Sequence, residues 1–316
     1  MVIGAGGPSP SVAAAIVAFQ PGSDLSTVID SVVPQVAKVF LIDNGGLAPR
    51  APDPAVMIIR NPHNLGVAAA LNQAIAPARA AGCDWLLALD QDVRPAPDMV
   101  DRLIETVHDH ATPQRLAIVA SNLGDAELGI RARFLRRRAG PFFQRAECRG
   151  ERLDSVAIAV SAGSLYRLDV LAQLGGFRED FFIDYVDTEY CLRVLAAGYR
   201  IAVACRARLD HRLGDRRRVR LGPATFFPTH HSPQRWYYIA RNRVPMIRLY
   251  AGRFPFWLTY DLIAGGYGLL RMLVLEGGRR RKLAALILGT RDGLRRPAPP
   301  HGTGARLSDP GAGRLT

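Results

Sequence analysis

The sequence has few cysteines and no long uninterrupted apolar run. Its 316 residues include four cysteines, and none of them forms a CxxC pair or pairs with metal-ligating histidines. We therefore expect four structural thiols in a reducing, cytoplasmic compartment. The short apolar run at 12–19 has no basic leader, so no secretory signal is expected. The longest apolar stretch, 254–270, is interrupted by Asp261 and three glycines, which predicts a poor membrane span but allows a helix on a membrane surface.

Acidic residues are scarce in the C-terminal third. Residues 206–296 carry 20 basic and 5 acidic side chains, whereas residues 1–205 carry 19 and 22, so the net charge of +13 belongs to the C-terminal region. Such a patch favours a polyanionic partner, either nucleic acid, an anionic membrane or a phosphorylated substrate. A nucleic-acid-binding protein is the remote alternative, because no zinc-finger or helix-turn-helix signature occurs and the basic residues are not interleaved with stacking aromatics.

Apolar runs alternate with helical patterns through the first half of the chain, whose overall hydrophobic content of 48% suits a large core. This alternation predicts βαβ units and a mainly parallel sheet covered on both faces. The predicted strands are residues 11–19, 38–43, 56–60 and 84–90, with a strand pair in 156–168; the predicted helices are residues 24–33, 66–82, 96–110 and 187–197.

Three of the predicted strands end in polar residues. Phe19 is followed by Gln20, Ile42 by Asp43, and Leu89 by the segment at 90–92 that reads DQD. Because ligands bind beyond the carboxyl ends of parallel strands, these residues are expected to line one cleft. By itself the DQD segment fits two interpretations, a surface turn that ends a strand or a site for a divalent cation held by carboxylates.

The chain is expected to divide into four parts. Residues 1–10 form a flexible tail, since the GAGG at 4–7 has no preceding strand to make it a dinucleotide loop. Residues 11–231 form the main domain, residues 232–296 a helical C-terminal region, and residues 297–316 a disordered tail rich in proline and glycine.

Six segments together resemble the family 2 glycosyltransferases of the GT-A fold, and within them the bacterial rhamnosyltransferase-like group. The resemblance runs from Val12 to about Arg296, and each segment alone is a weak signal. The segments are DNGG (43–46), NPHNLGVAAALNQAI (61–75), LLALDQDVRP (86–95), SAGSLYRLDVLAQLGGFREDFFIDYVDTEYCLR (161–193), HRLGD (211–215) and WYYIARN (236–242). The implied fold is α/β of the GT-A type, a Rossmann-like, mainly parallel mixed sheet flanked by helices, with a C-terminal helical extension.

The resemblance implies a nucleotide-sugar donor and a divalent cation, Mg²⁺ or Mn²⁺. Asp92 and His211 are the implied metal ligands, and the cation would neutralise the charge of the departing nucleoside diphosphate. With a cation expected there, the surface-turn interpretation of DQD becomes the weaker one. The implied donor-binding residues are Phe19, Gln20, Asp43, Asn64, Gly66, Asn72, Asp90 and Gln91.

Asp187 is the implied general base. It lies where the family's base lies, at the start of a predicted helix whose dipole favours the ionised carboxylate; a simple helix cap is the alternative. Asp184, Glu189 and Arg241 are the implied acceptor-binding residues. The chain departs from the usual family pattern at Ala18, Phe19 and Gln20, at Val186 and at Tyr190, which affects the details of donor binding more than the reaction class.

The resulting prediction is an inverting, metal-dependent hexosyltransferase of polysaccharide or cell-wall biosynthesis. L-rhamnose from dTDP-L-rhamnose is the first candidate donor, and UDP-galactofuranose or UDP-N-acetylglucosamine is the alternative. The acceptor would be a hydroxyl of a cell-surface glycan or a lipid-linked precursor. We expect a cytoplasmic protein with peripheral contact to the inner face of the plasma membrane through the basic C-terminal helices, including RRRK at 279–282, and a solvated basic surface is the alternative.

Overall fold

The computed structural model describes residues 10–22, 24–46, 53–125, 129–211, 219–221, 224–226 and 228–297. Its strands are β1 Val12–Ala18, β2 Lys38–Asp43, β3 Val56–Arg60, β4 Trp85–Asp90, β5 Val93–Pro95, β6 Leu116–Asp125, β7 Ile130–Arg131, β8 Arg133–Arg137, β9 Phe143–Glu147, β10 Arg152–Leu153, β11 Val156–Ile158, β12 Ser164–Arg167, β13 Arg200–His211, β14 Val219–Leu221 and β15 Ala224–Phe226. Its helices are α1 Asp24–Val32, α2 Val67–Gln73, α3 Ile75–Ala80, α4 Met99–His108, α5 Leu168–Leu174, α6 Val186–Ala196, α7 Pro233–Tyr250, α8 Pro255–Leu275 and α9 Arg279–Arg295.

A mixed sheet forms the centre of the molecule, in the order β10-β13-β6-β12-β4-β1-β2-β3. β1 pairs in parallel with both β2 and β4, whereas β12 runs antiparallel between β4 and β6. Apolar side chains from alternate strand positions pack into two cores, one on each face of the sheet. The fold class predicted from the sequence is confirmed: a GT-A-type mixed sheet flanked by helices, followed by C-terminal helices.

The predicted helix at 66–82 is two helices in the structure. α2 ends at Gln73 and α3 begins at Ile75, with Pro77 in the second helix. Proline has no backbone N–H to donate to the carbonyl four residues earlier, which here belongs to Gln73, so the continuous hydrogen-bond ladder is interrupted at that point.

The prediction of four structural thiols was wrong for two cysteines. Cys148 and Cys205 form a disulfide, with Cα atoms 5.3 Å apart, while Cys83 and Cys191 are buried free thiols. The pairing of β10 with β13 brings the two cysteines together, and the Cys205 N–H donates to the Glu151 carbonyl over 2.8 Å. The partners are 57 residues apart in sequence, and only the strand pairing determines that they meet.

Three helices follow the sheet domain. α9 lies directly against α7 at Gly289 and Gly293. The backbones are so close there that an added Cβ would overlap the carbonyls of Tyr237 and Arg241. The stretch at 254–270, predicted to be a poor membrane span, lies in α8, one continuous 21-residue helix that is long and apolar enough to cross a membrane by length and composition alone, and the prediction itself stays a prediction. Its one carboxylate, Asp261, is buried in an ion pair with Arg243, and its glycines do not interrupt it.

The predicted domain boundary at 231/232 stays a prediction, and the tails 1–9 and 298–316 lie outside the described residues.

Candidate active site

Two strand ends bring the predicted metal ligands together. Asp90 ends β4 and Asp92 follows it, while β5 pairs antiparallel with β13 so that His211 lies opposite Val93. His211 Nε2 is 3.2 Å from Asp92 Oδ1 and 4.0 Å from Asp90 Oδ2. One ligand atom from each of the three side chains lies within 4.8 Å of the others, which is a spacing that one cation can bridge.

The chemistry of this donor set fits a divalent cation. Two carboxylates and one imidazole are ligands that Mn²⁺ accepts, and Mg²⁺ accepts the carboxylates. Burial raises the pKa of Asp90; the His211 charge opposes that rise, the neighbouring Asp92 carboxylate adds to it, and Arg235 opposes it. A bound cation would offset the burial cost and the repulsion between the carboxylates.

Asp187 lies in the first turn of α6. Its Oδ1 accepts the backbone N–H of Thr188 at 2.7 Å, and Ser161 donates a further backbone N–H to the carboxylate. Burial raises the pKa of Asp187 to about 6; the Thr188 amide opposes the rise, the Asp184 charge adds to it, and the Ser161 amide opposes it. A carboxylate with this pKa is ionised at neutral pH and still basic enough to accept a proton.

Arg235 connects the predicted base to the predicted metal ligands. Its Nη2 is 3.0 Å from Asp184 Oδ1, and its charge also opposes the rise in the pKa of Asp90 that burial causes. Asp184 in turn interacts electrostatically with Asp187. The three carboxylates at positions 90, 184 and 187 are therefore linked in one electrostatic cluster through the Arg235 guanidinium.

The loop before Asp187 has an unusual backbone. Phe182, Asp184 and Tyr185 have φ values of 63°, 60° and 64°, a left-handed conformation that non-glycine residues seldom adopt. The fully buried Asn242 amide donates to the carbonyls of Phe181, Ile183 and Asp184 at 2.9, 2.9 and 3.0 Å. These hydrogen bonds hold the loop in a conformation that it would otherwise avoid.

Gly66 supports the same loop from the other side. Its φ of 87° and ψ of 162° are nearly exclusive to glycine, and a Cβ there would approach the Phe182 carbonyl to 2.6 Å. The next residue, Val67, donates its N–H to that carbonyl at 2.8 Å. The N-terminus of α2 therefore contacts the loop before Asp187.

Comparison with known proteins identifies the family of the chain. Residues 14–175 match the family model described as Glycosyl transferase family 2. The chain belongs to glycosyl transferase family 2. A curated relative, dTDP-rhamnosyl transferase RfbF of Shigella flexneri, is 30% identical over 142 residues, which are 44% of this chain and 46% of the relative. The alignment thus spans about half the length of that relative.

The solved structures give the same fold. The crystal structure of GalNAc-T7 with UDP, GalNAc and Mn²⁺ is similar to this family 2 chain with a TM-score of 0.55 and 15% identity, covering 78% of this chain and 49% of that one. At this identity the likeness concerns the GT-A fold. The recognition of the chain as a rhamnosyltransferase-like family 2 member is confirmed by the family match and the curated relative.

At the carboxyl ends of β1 and β4, Gln91 links the two strands. Its Oε1 accepts the Phe19 N–H at 2.8 Å and its Nε2 donates to the Phe19 carbonyl at 3.2 Å. Phe19 and Gln20 are exposed, and Gln20 has a φ of 48°. The donor contacts predicted for these three residues stay predictions, and their shared position at the ends of β1 and β4 agrees with them.

The other predicted donor-binding residues are hydrogen-bonded within the protein. The Asp43 carboxylate accepts the Gly46 N–H at 2.9 Å and pairs with Arg60 at 3.1 Å. Asn64 Oδ1 accepts the Gly66 N–H, and the buried Asn72 bonds the Phe177 backbone through both its amide atoms. These contacts give Asn64, Gly66 and Asn72 structural roles, and their predicted contacts with the nucleotide stay predictions.

Two of the predicted acceptor-binding residues lie beneath the cleft. Glu189 is 2% exposed, and its two oxygens accept bonds from Tyr250 and Arg193, both at 2.7 Å. Arg241 is 8% exposed and donates to the carbonyls of Asp180 and Phe181. The predicted contacts of these two residues with the acceptor stay predictions. Asp184 alone of the three lies beside Asp187.

Several residues of the site were not predicted from the sequence. Arg235 precedes the WYYIARN segment by one residue, and that nearness was the available signal. Asn242 belongs to the segment itself, but its role as the hydrogen-bond donor to the loop carbonyls depends on where α7 lies. The Ser161 amide carried no sequence signal, because any residue type supplies a backbone N–H.

Proposed function

We propose that this protein transfers a sugar, with inversion of configuration and with a divalent cation, from a nucleotide-sugar to a hydroxyl. The observation that carries the proposal is Asp187, a half-buried carboxylate with a pKa raised to about 6, in one electrostatic cluster with the carboxylate of Asp90. A general base and a cation-binding group close together are what an inverting transfer needs.

Asp187 takes the proton in the transfer. The acceptor oxygen forms its bond to the anomeric carbon as the bond from that carbon to the diphosphate oxygen breaks. The hydroxyl proton moves to the Asp187 carboxylate, and the bonding electrons leave with the nucleoside diphosphate. Attack from the face opposite the leaving group gives the inverted product.

Asp90, Asp92 and His211 are the residues that would hold the cation. When bound, it supplies positive charge for the phosphate oxygens of the leaving group. Arg235 pairs with Asp184 over 3.0 Å at the edge of this cluster, and its charge opposes the rise in the Asp184 pKa that burial causes. The strained loop fixes Asp187 at the start of α6, so that the base faces the cluster without reorganisation.

The proposed donor is dTDP-L-rhamnose. Its support is the likeness to the Shigella flexneri protein, whose name states that it is a dTDP-rhamnosyl transferase. The proposed acceptor is a glycan hydroxyl on a lipid-linked or polysaccharide intermediate.

A donor hydrolysis panel tests the proposal. Purified protein with Mn²⁺ or Mg²⁺ is given dTDP-L-rhamnose, UDP-galactofuranose or UDP-N-acetylglucosamine, and the released nucleotide is measured. Release of dTDP that stops with a chelator supports the proposal. Release of UDP alone overturns the choice of donor, and release that continues unchanged with a chelator overturns the metal dependence. The anomeric configuration of the product, measured by NMR, decides inversion.

A further inference from the structure

Helix α8 presents a continuous apolar face that nothing in the described part of the chain covers. The side chains on this face belong to Leu262, Ile263, Tyr267, Leu270 and Val274, all of them exposed. Gly266, also exposed, lies among them, and the half-buried Arg271 borders the face with its guanidinium 5.5 Å from the centre of the Tyr267 ring. Only 11% of the most apolar 18-residue window of the helix is buried. Monomeric soluble proteins rarely leave an apolar patch of this kind in water.

The opposite face of α8 is attached to the protein. Trp257, Asp261 and Met272 are buried, and Asp261 pairs with Arg243 at 2.9 Å. Gly265 faces the Arg243 guanidinium, since a Cβ there would approach it to 2.5 Å. A helix crossing the bilayer alone would place this ion pair in hydrocarbon at high cost. The two-faced arrangement instead fits a helix that lies in a membrane surface.

Positive charge lies at the C-terminal end of α8. Arg279 donates to the carbonyls of Val274 and Glu276, so the start of α9 is adjacent to the end of the apolar helix. Arg280 and Arg281 follow it and are exposed. An apolar face with arginines at its edge complements a lipid surface, because the side chains enter the acyl boundary while the guanidinium groups contact anionic headgroups.

We propose that α8 is an interfacial helix that holds this protein on an anionic membrane, with the Leu262–Val274 face in the lipid and Arg279–Arg281 on the headgroups. The same helix contacts the loop before Asp187. Tyr185, two residues before Asp187, donates its hydroxyl hydrogen to Asp261 of α8. The membrane surface and the proposed base are therefore joined through one side-chain contact. Delivery of a lipid-linked acceptor to Asp187 rests on the proposed function, whereas membrane binding does not.

Vesicle sedimentation with the full chain tests the proposal. The vesicles contain phosphatidylcholine alone or a mixture with phosphatidylglycerol. We expect binding to the mixed vesicles and much weaker binding to phosphatidylcholine. Replacing two arginines in R280Q/R281Q removes two charges and should weaken binding to the mixed vesicles by about 30-fold. This loss should disappear at high ionic strength, where headgroup charge is screened.

Two variants test the apolar face separately. Ile263→Glu and Leu270→Glu each place a charge among the lipid-facing side chains and should weaken binding at least about 10-fold. The control is Met57→Glu, which changes a side chain on β3 that is 56% exposed, close to the 59% and 60% of the two test residues. The control variant should bind like the wild type.

The outcomes decide between lipid and protein as the occupant. Wild-type protein that stays in solution with mixed vesicles, or Ile263→Glu and Leu270→Glu proteins that bind as the wild type does, would overturn the proposal. Light scattering after size exclusion provides the second measurement. A wild-type dimer that Ile263→Glu converts to a monomer would show that a second copy covers the face. Donor hydrolysis without vesicles is measured in parallel, so that loss of the proposed activity and loss of membrane binding are seen independently.

Discussion

The Tyr185 hydroxyl donates a 2.6 Å hydrogen bond to Asp261 Oδ1, and it accepts one from Arg243 Nε at 2.9 Å. This contact joins the loop that leads into Asp187 to a helix 76 residues further along the chain. The base is therefore positioned by the C-terminal helices as well as by the sheet domain. The family pattern accounts for the presence of Asp187 in the sequence. The contact with the C-terminal helices accounts for how the loop before Asp187 is held.

Asp187→Asn should abolish transfer while the protein stays folded. The amide cannot accept the acceptor proton, so turnover should fall by about 10²- to 10⁴-fold. Nucleotide binding, measured by calorimetry, should be retained because the donor-side residues are unchanged. Wild-type turnover in this variant would remove Asp187 from the role of base.

The same variant should not lower the melting temperature at neutral pH. Because the folded-state pKa of Asp187 is raised from 3.8 to about 6, the folded protein binds more protons than the unfolded chain between these values. Its ionisation therefore reduces stability as the pH rises from about 4 to 6. Thermal unfolding of the Asp187→Asn protein at pH 7.5 should show a melting temperature equal to or above that of the wild type.

The rate should depend on pH through the same group. The active form of Asp187 is ionised, so kcat/KM should rise with pH around 6 and level off above it. The profile is measured with saturating cation. A profile that is flat between pH 5 and 8 would contradict a proton transfer to this carboxylate.

Removal of a metal ligand should weaken cation binding. Asp92→Ala and His211→Ala each take one ligand from the cluster, and the affinity for Mn²⁺ should fall at least about 10-fold by calorimetry. Asp98→Ala is the control, because that carboxylate pairs with Arg102 on α4 and is not part of the cluster. Unchanged Mn²⁺ affinity in both ligand variants would place the cation elsewhere.

Gly66→Ala should cost more stability than Gly82→Ala. Both glycines have positive φ, 87° and 74°, but only at Gly66 does a Cβ meet other atoms, those of Phe182. We expect about 1 kcal/mol at Gly82 from its backbone conformation alone and about 3 kcal/mol at Gly66. Chemical denaturation measures both values. Turnover should also fall in the Gly66 variant, because Phe182, which the new Cβ displaces, belongs to the loop before Asp187. Equal losses of stability in the two variants would show that the loop moves to accommodate the Cβ without cost.

Asn242→Ala should destabilise the catalytic loop. The change leaves the carbonyls of Ile183 and Asp184 without their donor, while the Phe181 carbonyl keeps its bond from Arg241. This loss costs about 1–3 kcal/mol and releases the loop residues with positive φ. Turnover should fall more than donor affinity does, since Asn242 positions the base and is fully buried beneath the loop. Asn122→Ala, which removes a single amide bond to the Cys205 carbonyl, is the control and should leave turnover unchanged.

The sequence by itself determined the sheet and the carboxylates at its edge. Strand runs such as Lys38–Asp43 and Val56–Arg60 have the observed bounds, because a short run of apolar residues is a local pattern that marks a strand. The DQD segment was open to two interpretations by itself, and it and Asp187 were recognisable because they match the family pattern. The gathering of Asp90, Asp92 and His211 followed from the family pattern and from strand ends that meet at one edge.

Only the tertiary structure decided which polar residues face the cleft. Asn72, Glu189 and Arg241 are polar residues within the recognised segments, yet their bonds go to the buried framework. The disulfide between Cys148 and Cys205, the contact of Tyr185 with Asp261 and the uncovered face of α8 depend on pairings between residues far apart in sequence. A local pattern states what a side chain can bind, but packing between distant segments determines what it reaches.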